Sequence, residues 1–261
     1  MDKNDKCKKR LGEEKYNKQG CLMKIVEYND SHNILVEFQD IYKAKVRTRY
    51  AHFISGSIRN PYFADVFGMG ILGDKYPSWN NGKVTREYAT WKRILQRCFD
   101  DNYQMVQPTY KESTICEEWL LFDNFYEWLH SQLNFDKWLY GNRWALDKDI
   151  LVKGNKVYSP DTCCLVPQSV NSLFTKCDTA RGETLIGVHK QRGRFLALCH
   201  NPFANEQEYL GSYETQEQAF NTYKQRKEEI IRQVAKEEYN NGNITKECYE
   251  AMMNYKVEIT D

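Results

Sequence analysis

Two acidic residues that flank a lysine form the most chemically suggestive group of side chains in this sequence. Asp147 and Asp149 stand on either side of Lys148 in the segment Leu146–Leu151. Because side chains alternate between the faces of a strand, a strand here would place both carboxylates on one side. Paired carboxylates beside a loop can bind a divalent cation that polarises a phosphodiester. The alternative is two solvated acids at a β-turn, one of them paired with Lys148, a kind of surface contact that contributes little.

Three short elements are predicted around these acids. Leu146–Leu151 and Cys163–Val166 have the composition of two short strands, and the turn-rich segment Lys153–Asp161 separates them. A helix is predicted to begin in the following segment, Gln168–Phe174. The order is therefore strand, turn, strand and helix.

Two longer helices are predicted before this region. In Thr85–Cys98 the large side chains recur at spacings of three and four, which is the period of one helical face. The same spacing predicts a single helix over Cys116–Leu133. The side chains that define the two faces are Tyr88, Trp91, Leu95 and Cys98 in the first helix, and Trp119, Phe122, Phe125 and Leu129 in the second.

The segment Leu146–Pro167 resembles the core of HNH-type endonucleases of phages and mobile elements, which include homing-endonuclease-like proteins. It contains the family's Tyr-x-Pro-x-x-Cys pattern from Tyr158 to Cys163, and the helical segments upstream resemble the family's lead-in helices. The resemblance implies a ββα-metal core over 74–178 that hydrolyses DNA phosphodiesters with Mg²⁺ or another divalent cation. The resemblance implies Asp147 as a metal ligand; Asp149 or Thr162 would complete the site, and Lys148 would stabilise charge on the phosphate.

Two positions depart from the family's pattern and support a second hypothesis. Members usually carry histidine as the general base where this chain has Lys148, and often asparagine where it has Thr162. A lysine with an ordinary pKa of about 10.4 is a poor base at neutral pH. The alternative function is a catalytically silent protein of the same fold that acts by binding. It would be a DNA-binding regulator, or a phage inhibitor that docks on a host defence protein complex.

The last third of the chain, 181–261, predicts three strands and two helices. Strands are indicated at Leu185–His189, Arg194–Cys199 and Tyr209–Tyr213, followed by helices at Thr215–Ala235 and Thr245–Tyr255. The first of these helices begins with a capping-box pattern. This region resembles the Apetala-type DNA-binding domain, a three-stranded antiparallel sheet packed on a helix. Double-stranded DNA is the partner that this resemblance implies.

Two groups of basic residues are candidate DNA contacts. Lys190, Arg192 and Arg194 lie in a segment without acidic residues and are expected to converge on one stretch of phosphates. The other reading of this group is an exposed basic hairpin that keeps a sheet edge soluble. The second group lies in a small β-barrel-like domain predicted over 18–67, after a basic leader over 1–17. Its alternation predicts four cations on one strand face, either a DNA-binding stripe or a solvated surface: Lys43, Lys45, Arg47 and Arg49.

Composition limits the remaining possibilities. The 261 residues include 37 basic and 36 acidic side chains, so the net charge of +1 gives no general attraction to nucleic acid, and any such partner needs a local patch. Nine cysteines include no C-x-x-C pair, so no zinc site is indicated. No apolar segment is long enough to span a membrane, and the start lacks a secretory pattern. We therefore expect a cytoplasmic protein without a membrane partner. The predicted strands and helices indicate an α+β fold, and the resemblance to phage proteins implies a bacterial host.

Overall fold

The computed structural model describes residues 10–175 and 184–259. Most of the predicted leader and the predicted boundary between 178 and 181 lie outside the described residues. The chain combines helices and sheets, as the α+β prediction requires. It divides into two compact units, 1–127 and 128–261, and this division falls inside the segment 74–178 that was expected to form one core. Each unit is described separately below.

An antiparallel four-stranded sheet begins the first unit. Its strands are neighbours in chain order: β1 (Glu14–Tyr16), β2 (Leu22–Asp30), β3 (Asn33–Phe38) and β4 (Lys45–Thr48). Every second residue is buried along β3 and in the first part of β2, because the alternation of the sequence gives these strands one apolar face there. The sheet also takes in Glu14–Tyr16, which the sequence analysis assigned to the leader. Glu14 pairs with Lys24 in the strand ladder.

A short helix, α1 (Tyr50–Ser55), follows β4 inside the segment 18–67 that was predicted as a small β-barrel-like domain. Phe53 is fully buried against the sheet, so its apolar side chain stabilises a helical turn packed on the sheet. The helix ends at Gly56, whose left-handed φ of 64° lets its amide hydrogen-bond to the carbonyl of Phe53.

The rest of the first unit is mainly helical. Its elements are β5 (Ala64–Val66), β6 (Gly70–Ile71), β7 (Trp79–Asn80), β8 (Lys83–Val84), α2 (Arg86–Phe99), α3 (Asp101–Val106), β9 (Thr114–Ile115) and the first part of α4 (Phe122–Ser131), with 3₁₀ turns at Pro108–Tyr110 and Glu117–Leu120. Helix α2 confirms the first predicted helix, and Thr85 caps it by accepting a hydrogen bond from the amide of Tyr88. The indole of Trp91 donates to the carbonyl of Trp119 over 2.7 Å, inside the core.

The predicted helix over Cys116–Leu133 is divided into two parts. The 3₁₀ turn ends at Leu121, whose φ of −90° and ψ of 121° are extended, and α4 begins at the next residue. Leu121 forms an isolated parallel β-bridge with Ile71. This contact with a residue 50 positions away competes with the local helical pattern, so periodicity alone did not reveal the break.

The second unit contains the strand–turn–strand–helix order expected from the sequence. After α5 (Phe135–Tyr140) come β10 (Trp144–Asp147), β11 (Val157–Tyr158), β12 (Cys164–Pro167) and α6 (Gln168–Leu173). Strands β10 and β12 pair in antiparallel register, with Asp147 opposite Cys164. The predicted strand over Leu146–Leu151 is wrong beyond Asp147, because the following residues form a turn.

A three-stranded antiparallel sheet and two helices complete this unit. The elements are β13 (Val188–Gln191), β14 (Arg194–Asn201), β15 (Glu206–Tyr213), α7 (Gln216–Asn240) and α8 (Lys246–Asn254). The sheet packs on α7, and Thr215 caps this helix by accepting from the amide of Gln218, as the capping-box pattern predicts. Buried residues of β12 and α6, including Val166 and Val170, belong to the same apolar core as the sheet and α7.

The longest helix, α7, has 25 residues and carries many charged side chains. In the described parts of the chain, no helix is both long and apolar enough to cross a lipid bilayer.

Candidate functional site

Asp147 organises the turn that follows β10. Its Oδ1 atom accepts hydrogen bonds from the amides of Asp149, over 2.7 Å, and Ile150, over 2.8 Å. Burial raises the pKa of Asp147, and the two amides oppose that rise. The other carboxylate oxygen, Oδ2, forms no hydrogen bond with any described residue. Asp147 is therefore a turn residue with one oxygen available to a ligand.

Lys148 is buried, with 8% of its surface exposed. Its ammonium donates to Asp149 Oδ1 over 2.5 Å and to the carbonyl of Asn155 over 2.9 Å. It also lies 5.7 Å from the ring centroid of Tyr158, within range of a cation–π contact. Lys148 is therefore paired with groups of the protein itself. Its pairing with Asp149 agrees with the alternative given in the sequence analysis, in which Lys148 pairs with one of the two acids.

Asp149 does not lie beside Asp147 on a strand face. Because β10 ends at Asp147, the alternation that would have placed both carboxylates on one side does not extend to Asp149. Instead Asp149 binds Lys148, and its side chain remains half-exposed. The expected pairing of the two acids on one strand face is therefore wrong.

Asn155 and Thr162 hold the loop between β10 and β12. The Asn155 amide donates to the carbonyls of Lys148, over 2.8 Å, and Val157, over 2.7 Å. The Thr162 hydroxyl lies 2.9 Å from that of Ser159 and donates to the carbonyl of Val157 over 2.7 Å. Asn155 was not singled out by sequence, although Gly154-Asn155 is a common turn composition. Both side chains bind the backbone of their own loop.

A preformed metal cluster is not found in the described residues, where no group of three or more His, Cys, Asp or Glu side chains is arranged to hold an ion. Asp147 Oδ2 and the half-exposed carboxylate of Asp149 are the acidic groups that a divalent cation could approach. The buried Lys148 is not positioned to contact a phosphate, because its ammonium is held by Asp149 and the Asn155 carbonyl.

The three-stranded sheet of the second unit has one covered and one open face. Val188, Ala197 and Cys199 are buried on the face that packs on α7. Alternation and register place the opposite side chains on what we call the open face: His189, Gln191, Arg194, Leu196, Leu198, His200, Gln207, Tyr209 and Ser212. Tyr209 is 62% exposed there.

The basic residues of the first hairpin do not all lie on one side. Arg194 is on the open face, where its Nε donates to the Ser212 hydroxyl over 2.9 Å. Lys190 pairs with Phe195 on the helix-facing side, and its ammonium lies 5.9 Å from that ring centroid. Arg192 lies in the connecting turn with a φ of 49°. The expected convergence of all three cations is therefore wrong for Lys190, because the strand register places it on the face opposite to Arg194.

The open face carries no acidic position on its three strands. The two acids of β15, Glu206 and Glu208, fall on the other side of the strand register, opposite Asn201 and Cys199. Glu208 accepts two hydrogen bonds from the guanidinium of Arg226 on α7, over 2.7 and 2.9 Å. This contact lowers the pKa of Glu208 to about 2. Both acidic residues of β15 thus lie on the side of the sheet that faces α7.

The amino-terminal cations do not form a stripe of four. Only Lys45 and Arg47 lie on β4, because Lys43 precedes the strand in a left-handed conformation and Arg49 is the residue before α1. Lys45 pairs with Glu37 over 3.5 Å, and Arg47 pairs with a glutamate of β2 over 2.6 Å. All four cations are exposed. The two strand cations are partly neutralised, which favours the solvated-surface reading for them.

The chain matches no protein-family model, no curated protein and no solved structure.

Proposed function

We propose that this protein binds double-stranded DNA through the open face of its carboxy-terminal sheet. The observation that carries the proposal is a sheet face with exposed polar and aromatic side chains, a fixed arginine and no acidic position. Phosphates dominate the affinity of proteins for DNA, so a face without carboxylates avoids repulsion. The resemblance of 181–261 to Apetala-type domains supports the same conclusion.

Individual side chains of this face and of the turn between β13 and β14 have distinct expected roles. Arg192 and Arg194 would bind phosphates and set the position of the protein on the duplex. Arg194 is already oriented by Ser212, whose hydroxyl and carbonyl accept from its guanidinium. Tyr209, which is exposed, and the neighbouring polar residues of the strands would contact base edges or sugars in a groove.

The test measures the affinity of the parent and of variants on each sheet face for one fluorescently labelled DNA duplex. Arg192→Ala with Arg194→Ala should weaken binding strongly, because two charged contacts are lost, each contributing about 1.5 to 3 kcal/mol. Lys190→Ala is the matched control, since it removes a cation from the same hairpin on the helix-facing side. Equal affinity of the double variant and the parent would contradict the proposed surface. Absence of binding by the parent would favour a protein partner instead.

Cleavage of the bound DNA is a second candidate function. The specific observation in its favour is Asp147 Oδ2, which has no hydrogen bond with the described residues at the end of β10. The antiparallel β10–β12 pair followed by α6 has the order of a ββα-metal unit. Here Asp147, with Asp149 or Thr162, would hold Mg²⁺ or another divalent cation that activates a water against the phosphodiester.

Supercoiled plasmid tests this candidate. The parent should nick the plasmid in Mg²⁺ or Mn²⁺ and lose this activity in EDTA. Asp147→Asn should cleave far more slowly, because an amide oxygen is a weaker ligand for a hard cation than a carboxylate. Arg192→Ala with Arg194→Ala controls for binding, since it leaves the loop intact. No metal-dependent nicking by a parent that binds DNA would assign the protein to binding alone.

A further inference from the structure

A second candidate site lies in the second unit, at the end of the β10–β12 pair opposite to Asp147. A cavity of about 600 Å³ opens there beside Trp144, the first residue of β10. Residues of α5, β10, β12, α6 and α7 line it, together with the loops before β10 and after α7; among them are Lys137, Arg143, Ser169 and Ser172. Its volume lies within the usual range of small-molecule sites. None of these residues takes part in the Asp147 turn or the open face.

The cavity has an excess of positive charge. Arg143 is exposed, and its guanidinium forms no hydrogen bond or ion pair with any described residue. The ammonium of Lys137 is held by two neutral acceptors, the Gly242 carbonyl at 3.1 Å and Asn243 Oδ1 at 2.8 Å. These two hydrogen bonds fix the position of the Lys137 ammonium, but neither acceptor carries a negative charge that would neutralise it. A guanidinium and an ammonium at one cavity wall are a suitable pair for a phosphate group.

One carboxylate lines the cavity without removing this excess. Glu238 accepts a hydrogen bond from Asn243 Nδ2 over 2.6 Å. Because Asn243 also accepts from Lys137, the carboxylate and the ammonium are joined through one amide. Glu238 thus holds Asn243 in the orientation that presents its oxygen to Lys137. Two cations and one carboxylate leave one positive charge for a bound anion.

An aromatic wall stands next to these charges. Trp144 is half-buried, and the Lys137 ammonium lies 5.8 Å from its ring centroid. Indole rings stack well on nucleobases, whatever the base, and are a common feature of single-strand sites. Ser169 and Ser172 of α6 add hydroxyl groups to the lining, which could hydrogen-bond to a sugar. The combination of paired cations, an indole and hydroxyls matches a nucleotide better than an inorganic anion or an apolar ligand.

We propose that this cavity binds a nucleotide unit, with its phosphate at Arg143 and Lys137 and its base against Trp144. The site is independent of the proposed duplex-binding face, which lies on other strands. The same chemistry is offered by a free mononucleotide and by a nucleotide within a single strand. A duplex does not offer it, because its bases are stacked and paired.

Isothermal titration of the full chain with four probes separates these sources: AMP, adenosine, inorganic phosphate and a ten-nucleotide single-stranded oligonucleotide. AMP or the oligonucleotide should bind, and adenosine and phosphate should bind more weakly than AMP, since each lacks one of the two recognised groups. Binding of AMP would identify a free nucleotide as sufficient. Binding of the oligonucleotide alone would identify the strand as the ligand. A parent that binds neither would overturn the proposal.

Three variants decide whether the cavity is responsible. Arg143→Gln should weaken binding about tenfold or more, as expected for the loss of a charged contact. Trp144→Leu should weaken AMP or the oligonucleotide to a similar extent by removing the stacking surface. Lys236→Gln, an exposed cation of α7 outside the cavity lining, should change affinity less than twofold. If Trp144→Leu unfolds, Arg143→Gln still decides, and an unchanged affinity in that variant would overturn the assignment.

Discussion

Replacing Asp147 in two ways separates its role in the turn from a role in binding a cation. Asp147→Ala removes the acceptor of two amide hydrogen bonds, one of them from the buried Ile150. Leaving such donors without an acceptor costs about 1 to 3 kcal/mol each. We therefore expect the free energy of unfolding to fall by about 2 to 6 kcal/mol. Asp147→Asn keeps an oxygen at the same position and should preserve the turn.

The negative charge of Asp147 lowers the stability of the folded protein, whereas its hydrogen bonds to the two amides raise it. Burial raises the pKa of this carboxyl above its ordinary value of 3.8, so the folded state binds protons more readily than the unfolded chain. Stability then decreases as pH rises from 3.8 through the raised pKa, and the loss persists above it. The neutral Asp147→Asn variant avoids this loss. Its stability relative to the parent should improve over that pH interval and then stay constant.

Urea unfolding at several pH values, followed by circular dichroism, measures both effects. At neutral pH the expected order is Asp147→Asn at or above the parent and Asp147→Ala clearly below it. An Asp147→Ala variant within about 0.5 kcal/mol of the parent would refute the role in the turn, since that is the range of ordinary surface substitutions. If the cation site also exists, Asp147→Asn should remain folded while losing metal-dependent cleavage.

Three further substitutions test the packing of the second unit. Lys148→Met removes a buried ion pair and should lower stability in urea unfolding by about 1 to 3 kcal/mol, whereas an unchanged midpoint would show that the pair is unimportant. Arg226 lowers the pKa of Glu208 to about 2, so the stabilisation is complete above pH 4.5 and is lost as pH falls toward 2. Glu208→Gln should flatten that acid dependence, and an identical pH profile would argue against the ion pair. Gly187→Ala should lower stability by about 2 to 4 kcal/mol, because φ is +72° and a Cβ would lie 2.1 Å from the ring of Tyr223; a thermal melt matching the parent would contradict this.

Local signals were sufficient to predict the helices with strong periodicity or caps. The spacing of Trp91 and Leu95 predicted α2 to within one residue at each end, and the capping pattern at Thr215 predicted the start of α7. These elements are determined by neighbours within a few residues. The break at Leu121 was not predictable in this way, because it depends on a bridge to Ile71.

The candidate site was only partly predictable for the same physical reason. The sequence identified Asp147, Lys148 and Asp149, but the end of β10 decides where Asp149 lies. The burial of Lys148 depends on the carbonyl of Asn155, across the loop. Lys190 and Arg194 were likewise expected to converge because they lie in one short segment, without allowing for the strand register on the two sides of the turn. A two-residue turn places these cations on opposite faces.

The salt dependence of duplex binding tests the central proposal most directly. Each phosphate neutralised on duplex DNA contributes about −0.9 to the slope of log affinity against log salt. For the parent we expect a clearly negative slope, measured by fluorescence anisotropy over a series of salt concentrations. Arg192→Ala with Arg194→Ala should flatten this slope by about 1.8, while Lys190→Ala should leave it unchanged. An identical slope in the parent and the double variant would contradict DNA binding by the open face.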